Sequence, residues 1–189
     1  LPFTWVKSLQ DVGAHALNTY PGTWRKEGGS KTEGNIIDEE YKEGIYVGYR
    51  WADRKKQRPV FAFGHGLSYT QFAISNLRAD KASMTAADSI TFTVQVKNIG
   101  QRAGSETVQL YVHDAKASVD RPLKELKGFQ KVSLLPGESK DVTITIGKDA
   151  LSFYDETSAA WKAEAGQFEA WVGNASDNLK LKKTFELKL

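Results

Sequence analysis

The second half of the chain alternates apolar and polar residues with a period of two. In residues 90–96, isoleucine, phenylalanine and two valines occupy every second position. This period is typical of a strand that buries one of its faces. Residues 107–112 repeat the pattern after a turn-forming segment at 98–104, which contains two glycines and an asparagine. We therefore expect the two strands to pair side by side as an antiparallel hairpin.

Further short segments have strand composition and are separated by Gly, Pro and Asp turns. They are residues 73–77, 123–132, 142–146, 151–154, 160–162, 168–172 and 179–185. Gly128 interrupts the second of these segments, so we expect a kink there. Many short strands with regularly spaced turns predict a β-sandwich, and the fold class is therefore mainly β.

Aromatic residues and glycines are concentrated between Asp38 and Phe72. Residues 45–51 are rich in β-branched and aromatic side chains, which predicts a buried strand. The basic run at 54–58 predicts a solvated loop between two strands. The Gly-His-Gly triplet at 64–66 predicts a hinge that presents aromatic side chains around a tight turn.

The N-terminal residues contain no long periodic segment. Residues 1–6 are compatible with a short strand, and Ser8 with Asp11 predicts a capped single helical turn. The Tyr-Pro-Gly sequence at 20–22 predicts a turn. Residues 25–34 are mostly charged, glycine or small and polar, which predicts an exposed, mobile loop.

Long stretches on both sides of Phe72 carry a resemblance to a known family. The sequences EGIYVGYRW at 43–51 and FAFGHGLSYT at 61–70 resemble, in order and spacing, the end of the second domain of glycoside hydrolase family 3. That family comprises β-glucosidases, β-xylosidases and their relatives. Three later stretches, VKNIG, GSETVQLYV and RPLKELKGFQKV, are similar to the fibronectin type III-like domain at the C-terminus of many members. The resemblance covers essentially the whole chain.

The resemblance implies that the chain has two parts. Residues 1–72 would be the C-terminal segment of an α/β sandwich domain with an aromatic linker. Residues 73–189 would be a fibronectin type III-like, immunoglobulin-like β-sandwich. A strand in a mostly parallel α/β sheet is covered on both faces, so the predicted strand at 45–51 needs neighbours that this chain does not encode. We therefore expect residues 1–72 to be stably folded only against a larger partner.

Composition and charge narrow the classes of partner. The 189 residues are 40% hydrophobic and 26% charged, as in soluble globular proteins. No apolar run approaches the roughly 18 residues of a membrane span, so no membrane partner is expected. The net charge of +3 comes from 26 basic and 23 acidic residues, mixed along the chain, so no nucleic-acid partner is expected. The absence of cysteine excludes disulfides and thiolate metal sites.

Carboxylates are the first candidates for chemistry, because a retaining glycosidase uses two carboxyl groups roughly 5–5.5 Å apart. The candidates by residue type are Asp38, Glu39, Glu40, Glu43, Asp155 and Glu156. Adjacent carboxylates beside strands and turns are usually solvated. In the family the nucleophile is an aspartate of the N-terminal barrel domain, commonly within a Ser-Asp-Trp motif that does not occur here. The acid/base lies upstream of the 43–51 stretch, so the resemblance implies that this chain contains no catalytic residue.

Histidines do not suggest a metal site. His15, His65 and His113 lie far apart in the sequence, with no short ligand spacing. His65, between two glycines, is expected to hydrogen-bond within the hinge, and His113 to be solvated at a strand end. We predict no metal and no cofactor.

Aromatic side chains stack on the apolar faces of sugar rings, and four are candidates by type. They are Trp24, Tyr49, Trp51 and Trp161. Packing in the core or against another domain is the favoured alternative for each, because aromatic side chains bury large areas. Trp24 lies in the glycine-rich loop and is expected to be the least buried. It is the one substrate-binding residue that the sequence proposes.

The resemblance implies a parent enzyme that hydrolyses terminal non-reducing β-D-glucosyl or xylosyl residues with retention. In this interpretation the chain supports and stabilises the catalytic domains and is inactive alone. Its partners are the N-terminal catalytic portion of the same enzyme, covalent or nicked, and the parent's glycoside or oligosaccharide substrate, while a homodimer stays open. The resemblance also implies a secreted or periplasmic protein. The start at Leu1, without methionine, is expected to be internal.

The alternative comes from a different class of protein. A non-catalytic β-sandwich module could mediate dimerisation or weak carbohydrate binding. Oligosaccharide binding without turnover, lost when an exposed tryptophan is replaced, would favour this alternative.

Overall fold

The computed structural model describes residues 1–24 and 37–189, with Trp24 described by its backbone alone. The loop predicted at 25–34 lies outside the described residues. The helices are α1 (Gly13–Ala16) and α2 (Tyr49–Arg54), with 3₁₀ turns at Leu9–Asp11 and Lys148–Leu151. The strands are β1 (Thr23–Trp24), β2 (Ile37–Asp38), β3 (Phe72–Ala79), β4 (Ser83–Thr85), β5 (Ser89–Asn98), β6 (Gly104–Asp114), β7 (Glu125–Leu134), β8 (Ser139–Gly147), β9 (Phe153–Asp155), β10 (Ala160–Lys162), β11 (Gly166–Gly173) and β12 (Leu181–Lys188).

Two sheets pack face to face and confirm the predicted β-sandwich. One sheet has five strands in the order β4-β12-β11-β6-β7, and the other has three in the order β3-β5-β8. Neighbouring strands run antiparallel except β4 and β12, which run parallel. The predicted kink at Gly128 is confirmed, because the register of β6 against β7 shifts between Leu110 and Tyr111, opposite this glycine. β3 begins at Phe72, and the division of the chain there stays a prediction.

The core of the sandwich is built by the apolar positions of the alternating strands. In β5 and β8 every second side chain is buried, as the period of two predicts. Three aromatic rings lie at the centre: Phe185 is 5.4 Å from Phe92 and 5.8 Å from Phe168 between ring centroids. These side chains come from both sheets, so the core forms only when the two sheets close on each other.

The hairpin predicted between residues 90–96 and 107–112 is wrong. β5 pairs with β3 and β8, whereas β6 pairs with β7 and β11 in the other sheet. The apolar faces of β5 and β6 therefore meet across the core instead of lying side by side. The segment between them crosses from one sheet to the other. Alternation determines which face of a strand is buried, and it does not determine which strand lies beside it.

Asn98 holds this crossing in place. Its side chain is fully buried, and its amide nitrogen donates to the carbonyl oxygens of Arg102 at 2.7 Å and Leu134 at 3.1 Å. Its amide oxygen accepts from Gly100 N–H at 3.0 Å and from the hydroxyl of Thr70 at 2.8 Å. One buried side chain thus satisfies backbone groups at the ends of β5, β6 and β7.

Residues 45–51 do not form the predicted strand. The chain makes a turn at residues 42–45 and then α2, with Gly48 at a positive φ of 62° immediately before the helix. Trp51 and Ala52 of α2 are buried. Strand propensity mostly measures how well a side chain packs on a half-buried surface, and here that packing is supplied by a short helix.

No helix in the described part of the chain is long and apolar enough to cross a membrane.

The remaining predictions for the N-terminal segment have mixed outcomes. Ser8 and Asp11 do form a capping box around a single helical turn. The strand at 1–6 is reduced to one bridge, between Trp5 and Phe61. The basic run at 54–58 does not join two strands, because Arg54 ends α2 and the next strand, β3, begins only at residue 72.

We expect Asn98→Ala to lower the free energy of unfolding by about 2–3 kcal/mol, because buried carbonyl and N–H groups at the crossing lose their partners. Urea denaturation followed by tryptophan fluorescence measures the change. Asn178→Ala is the control: its exposed side chain makes one bond, of 2.7 Å, to Asn174, and we expect a loss of about 0.5 kcal/mol or less. Similar losses in the two variants would contradict the role given to Asn98.

Candidate functional site

Part of the N-terminal segment covers the outer face of the five-stranded sheet at strand β6. Gln109 and Tyr111 point away from the core, yet both are buried, and Tyr111 is fully so. Residues 46–66 of the N-terminal segment lie over them. The ring of Tyr49 meets that of Tyr111 edge to face at 5.5 Å and also packs 5.5 Å from Phe63. We call this contact between residues 46–66 and the sandwich the junction.

A buried chain of hydrogen bonds lies beneath the junction. Tyr111 Oη donates to Gln109 Oε1 at 2.7 Å, and Gln109 Nε2 donates to the carbonyl oxygen of Asn174 at 2.6 Å. Gln109 Nε2 also lies 3.4 Å from the carbonyl oxygen of Gly64. Burial raises the pKa of Tyr111 above its ordinary value, so its hydroxyl stays protonated and acts as a donor.

An ion pair joins α2 to the loop that precedes β7. Lys124 Nζ lies 2.5 Å from Asp53 Oδ2, and the two side chains are 5% and 21% exposed. Burial raises the pKa of Asp53, and the hydrogen bond and charge of Lys124 oppose that effect. A buried charge without a partner is costly, so each of these residues requires the other.

A more exposed contact reinforces the same side of α2. Asp120 accepts a hydrogen bond from the Tyr46 hydroxyl at 2.7 Å and one from Arg54 at 2.7 Å. These two bonds lower the pKa of Asp120. The Arg54 guanidinium also lies 4.0 Å from the centre of the Tyr46 ring. Because the charges face solvent, this contact orients the loop more than it stabilises the fold.

Glu125 collects three cations at the start of β7. Arg121, Arg50 and Lys127 have nitrogen atoms 2.7, 3.3 and 3.6 Å from its carboxylate. Burial alone would raise the pKa of Glu125, but the three cations outweigh it and the pKa is lowered. Arg121 is itself buried and also donates to the carbonyl oxygen of Leu151 at 3.0 Å. Glu125 therefore ties α2 to the sandwich through Arg50.

Most of the carboxylates considered from sequence serve local contacts or face solvent. Glu43 is an exception, because its Oε2 is buried and has no hydrogen-bond partner among the described residues. Glu40 pairs with Lys42 at 2.6 Å, and Asp38 and Glu39 are exposed. Asp155 pairs with Lys162 and accepts from Ser158 at 2.6 Å, and these partners lower its pKa to about 2.

The histidines lie at three separate places. His15 packs 5.0 Å from Tyr20, and His65 packs 4.9 Å from Phe61, between ring centroids. His113 packs 5.2 Å from Trp171, and its Nδ1 is 2.7 Å from the carbonyl oxygen of Leu123, so it is not simply solvated. Across residues 1–24 and 37–189, no three metal-binding side chains come together.

The aromatic candidates for sugar stacking have different environments. Tyr49 packs in the junction, and Trp51 is buried, as the packing alternative predicts. Trp161 does not lie in the core of this chain, because it is 71% exposed. Its packing against another domain stays a prediction. Its short strand, β10, pairs with β9 in a separate two-stranded sheet. The side chain of Trp24 lies outside what the structure describes, so its role in binding substrate stays a prediction.

Several junction residues were not anticipated from the sequence. Gln109 and Tyr111 occupy the positions of β6 that alternation assigns to solvent, and Lys124 is one of many lysines. One weak indication was available in the sequence: Tyr111 is an aromatic residue at a position of β6 that alternation assigns to solvent. The partner residue Asp53 could not be found, because the segment around it was predicted as a strand and loop.

The N-terminal segment exposes large apolar side chains and leaves some buried polar atoms without hydrogen-bond partners. Its exposed large side chains include Phe3, Trp5, Leu9, Tyr41, Val47, Val60 and Leu67. Its buried side-chain atoms without a hydrogen-bond partner in the described chain are Thr4 Oγ1, Glu43 Oε2, Trp51 Nε1 and Gln57 Oε1. Among the exposed side chains, Trp5 contacts both Phe3 and Phe61. Exposed aromatic side chains together with unsatisfied buried polar groups are typical of a region that another part of a protein covers.

Comparison with known proteins relates the chain to parts of larger enzymes. Residues 106–176 match the family described as "Fibronectin type III-like domain". The chain is 44% identical over 188 residues to beta-glucosidase BoGH3A of Bacteroides ovatus, covering 98% of this chain and 24% of that protein. It is 50% identical over 145 residues to thermostable beta-glucosidase B of Acetivibrio thermocellus, covering 77% of this chain and 19% of that protein.

Solved structures give the same relation. The GH3 beta-glucosidase of Bifidobacterium adolescentis matches with a TM-score of 0.84 and 32% identity, over 98% of this chain and 25% of that one. Beta-glucosidase 3B of Thermotoga neapolitana, in complex with alpha-D-glucose, matches with a TM-score of 0.82 and 36% identity, over 98% of this chain and 24% of that one. The chain thus spans about a quarter of the length of these relatives.

We expect Lys124→Met to lower the free energy of unfolding by about 2–3 kcal/mol, because it leaves the Asp53 carboxylate largely buried and unpaired. A double-mutant cycle with Asp53→Asn should give a coupling energy of about 1–2 kcal/mol. The control is the exposed Arg78–Asp141 pair at 2.6 Å, for which we expect a coupling below about 1 kcal/mol. Equal couplings would show that the junction pair is no stronger than a surface pair.

We expect Gly64→Ala to loosen the junction. Gly64 has a positive φ of 83°, and a Cβ there would collide with the side chain of Gln109. Gly137→Ala is the matched control, because Gly137 has a similar φ of 76° and open space around its Cβ position. Both variants should lose about 1 kcal/mol from backbone strain, and Gly64→Ala about 1–3 kcal/mol more from the collision. Chemical denaturation measures both, and matching losses would mean that Gln109 moves aside freely.

Proposed function

Since the chain belongs to glycoside hydrolase family 3 as a C-terminal part, we propose that it completes a retaining β-glycosidase. The whole enzyme hydrolyses terminal non-reducing β-D-glucosyl, or xylosyl, residues. This chain holds the catalytic portion in its folded arrangement and contributes neither the nucleophile nor the acid/base. Its partner is the N-terminal catalytic portion of the same enzyme.

The observation that carries this proposal is the two-sided character of the N-terminal segment. One side is bound tightly to the sandwich by the junction, through the Asp53–Lys124 pair and the buried Tyr111. The other side exposes the apolar surface around Phe3 and Trp5 and leaves polar atoms such as Thr4 Oγ1 unsatisfied. A segment with this structure is suited to connect the sandwich to a second domain, which in this proposal is the catalytic portion.

The aromatic rings on the open side are already arranged as a continuous surface. Trp5 packs 5.7 Å from Phe3 and 6.4 Å from Phe61, and Phe61 packs 4.9 Å from His65, between ring centroids. Trp5 N–H donates to the Phe61 carbonyl oxygen at 2.8 Å, which fixes the spacing of the two rings. We expect the catalytic portion to dock here, because covering each such ring contributes roughly 1.5–3 kcal/mol.

A chimera tests the proposed activity. The corresponding C-terminal quarter of the Bacteroides ovatus relative is replaced by this chain, and hydrolysis of p-nitrophenyl β-D-glucoside and β-D-xyloside is measured. We expect the chimera to hydrolyse at least one of them, and neither the chain alone nor the relative without its C-terminal quarter to do so. Initial release of the β-anomer, observed by NMR, would establish retention. Hydrolysis by the chain alone, or a folded chimera with no activity, would refute the proposal.

Hydrogen exchange tests where the catalytic portion docks. In the chain alone, amide protons of residues 3–6 and 60–61 should exchange faster than those of the sandwich strands, because only the short bridge between Trp5 and residues 60–61 protects them. In the chimera their exchange should slow by about tenfold or more, whereas α2, already held by the sandwich, should change little. Slower exchange in α2 with no change at residues 3–6 would place the contact elsewhere.

A further inference from the structure

The β9–β10 hairpin presents two aromatic side chains on one face. Tyr154 and Trp161 are paired directly across the two strands, so they point to the same side. They are 51% and 71% exposed. Their ring centroids are 5.7 Å apart, and the ring planes meet at 71°. We call this pair the aromatic face of the hairpin.

The opposite face of the hairpin is fastened to the sandwich. Phe153, on that face, lies 5.8 Å from the guanidinium of the buried Arg121. Leu151 and Ser152, directly before β9, are buried. Asp155 pairs with Lys162 and accepts from Thr157 N–H at 3.2 Å, and these contacts hold the hairpin itself together. Because strands alternate, fastening this face obliges Tyr154 and Trp161 to face outward. Their exposure is therefore a consequence of how the hairpin is attached.

Charged groups of both signs lie around the aromatic face, and the exposed Glu156 is one of them. Lys162 is paired with Asp155. Beyond the hairpin, Glu164 accepts hydrogen bonds from the backbone N–H and the hydroxyl of Ser118. A surface of this kind offers little attraction to an anionic polymer or an anionic membrane, and it suits an uncharged ligand. The hydroxyl of Tyr154 makes no hydrogen bond to any residue in the described ranges, so it remains open to a ligand.

The size of the aromatic face argues against a stable protein partner. Two aromatic side chains contribute about 150–250 Å² each even when they are completely covered. A stable protein interface removes about 800 Å² from each partner. The face is therefore too small for a dimer contact by itself, but it matches the area of one or two sugar rings.

From these observations we propose that Tyr154 and Trp161 form a stacking site for a single chain of β-linked glucose units. The C–H groups on one side of a pyranose ring carry partial positive charge and meet the negative faces of the aromatic rings. Because the two ring planes are steeply inclined, they cannot both lie flat on a crystal surface. The site therefore takes a free, twisted chain. The choice of β-linked glucose rests on the proposed function.

Titration of the 189-residue chain with cellohexaose and with laminarihexaose, followed by the indole N–H signals in NMR spectra, tests this proposal. We expect a dissociation constant of about 0.1–1 mM for at least one hexamer, because few atoms make contact. Trp161→Ala should weaken binding about tenfold or more, and Tyr154→Ala less. Phe129→Ala is the matched control, since Phe129 is 67% exposed on β7, and it should leave binding unchanged.

Several outcomes would overturn the proposal. They are the absence of binding at 10 mM hexamer, about tenfold above the expected range, retention of affinity by Trp161→Ala, and an equal loss in Phe129→Ala. A fall in self-association of Trp161→Ala, measured by sedimentation without a change in sugar affinity, would identify the face as a protein contact instead. Hydrolysis by the chimera together with no binding would reject this site and leave the proposed function standing. Binding by the chain together with an inactive chimera would do the reverse.

Discussion

The rest of the structure depends on the burial of the outer face of β6. In a two-layer sandwich that face is normally wet, but here Tyr111 is fully covered and Gln109 nearly so. Burial of these polar side chains is tolerable only because each finds a hydrogen-bond partner. The partners lie within β6 itself, in the turn after β11 and at Gly64. These hydrogen bonds therefore hold residues 46–66 in one position over β6.

The electrostatic contacts around this buried face differ in what they do. The Asp53–Lys124 pair is largely removed from water, so it discriminates strongly against any other placement of α2. The Asp120 contacts lie at the surface and are screened by solvent. The Glu125 carboxylate is also largely buried, and the three cations around it offset the cost of that burial. Together they join a six-residue helix, too short to be stable alone, firmly to the sandwich.

Two surfaces of the chain stay apolar for different reasons. The open side of the N-terminal segment is apolar over many residues and contains unsatisfied buried atoms, so its structure is incomplete by itself. The hairpin with Tyr154 and Trp161 is small and has charges of both signs around it, and its other face contacts Arg121 through Phe153. The first surface has the character of an interface with another domain, and the second that of a ligand contact.

The sequence by itself determined most strands of the sandwich, though not the short β4, together with the capped turn at Ser8 and the family, because alternation, turn residues and long motifs are local properties of the chain. It did not determine the neighbours of β5 and β6, since identical alternation serves two strands in one sheet or two strands in facing sheets. It also predicted a strand where α2 forms, because Tyr49 and Trp51 have strand propensity and their packing partners lie far away in sequence. Only tertiary structure decided that Tyr111 is buried and Trp161 exposed, because exposure depends on what lies against each side chain.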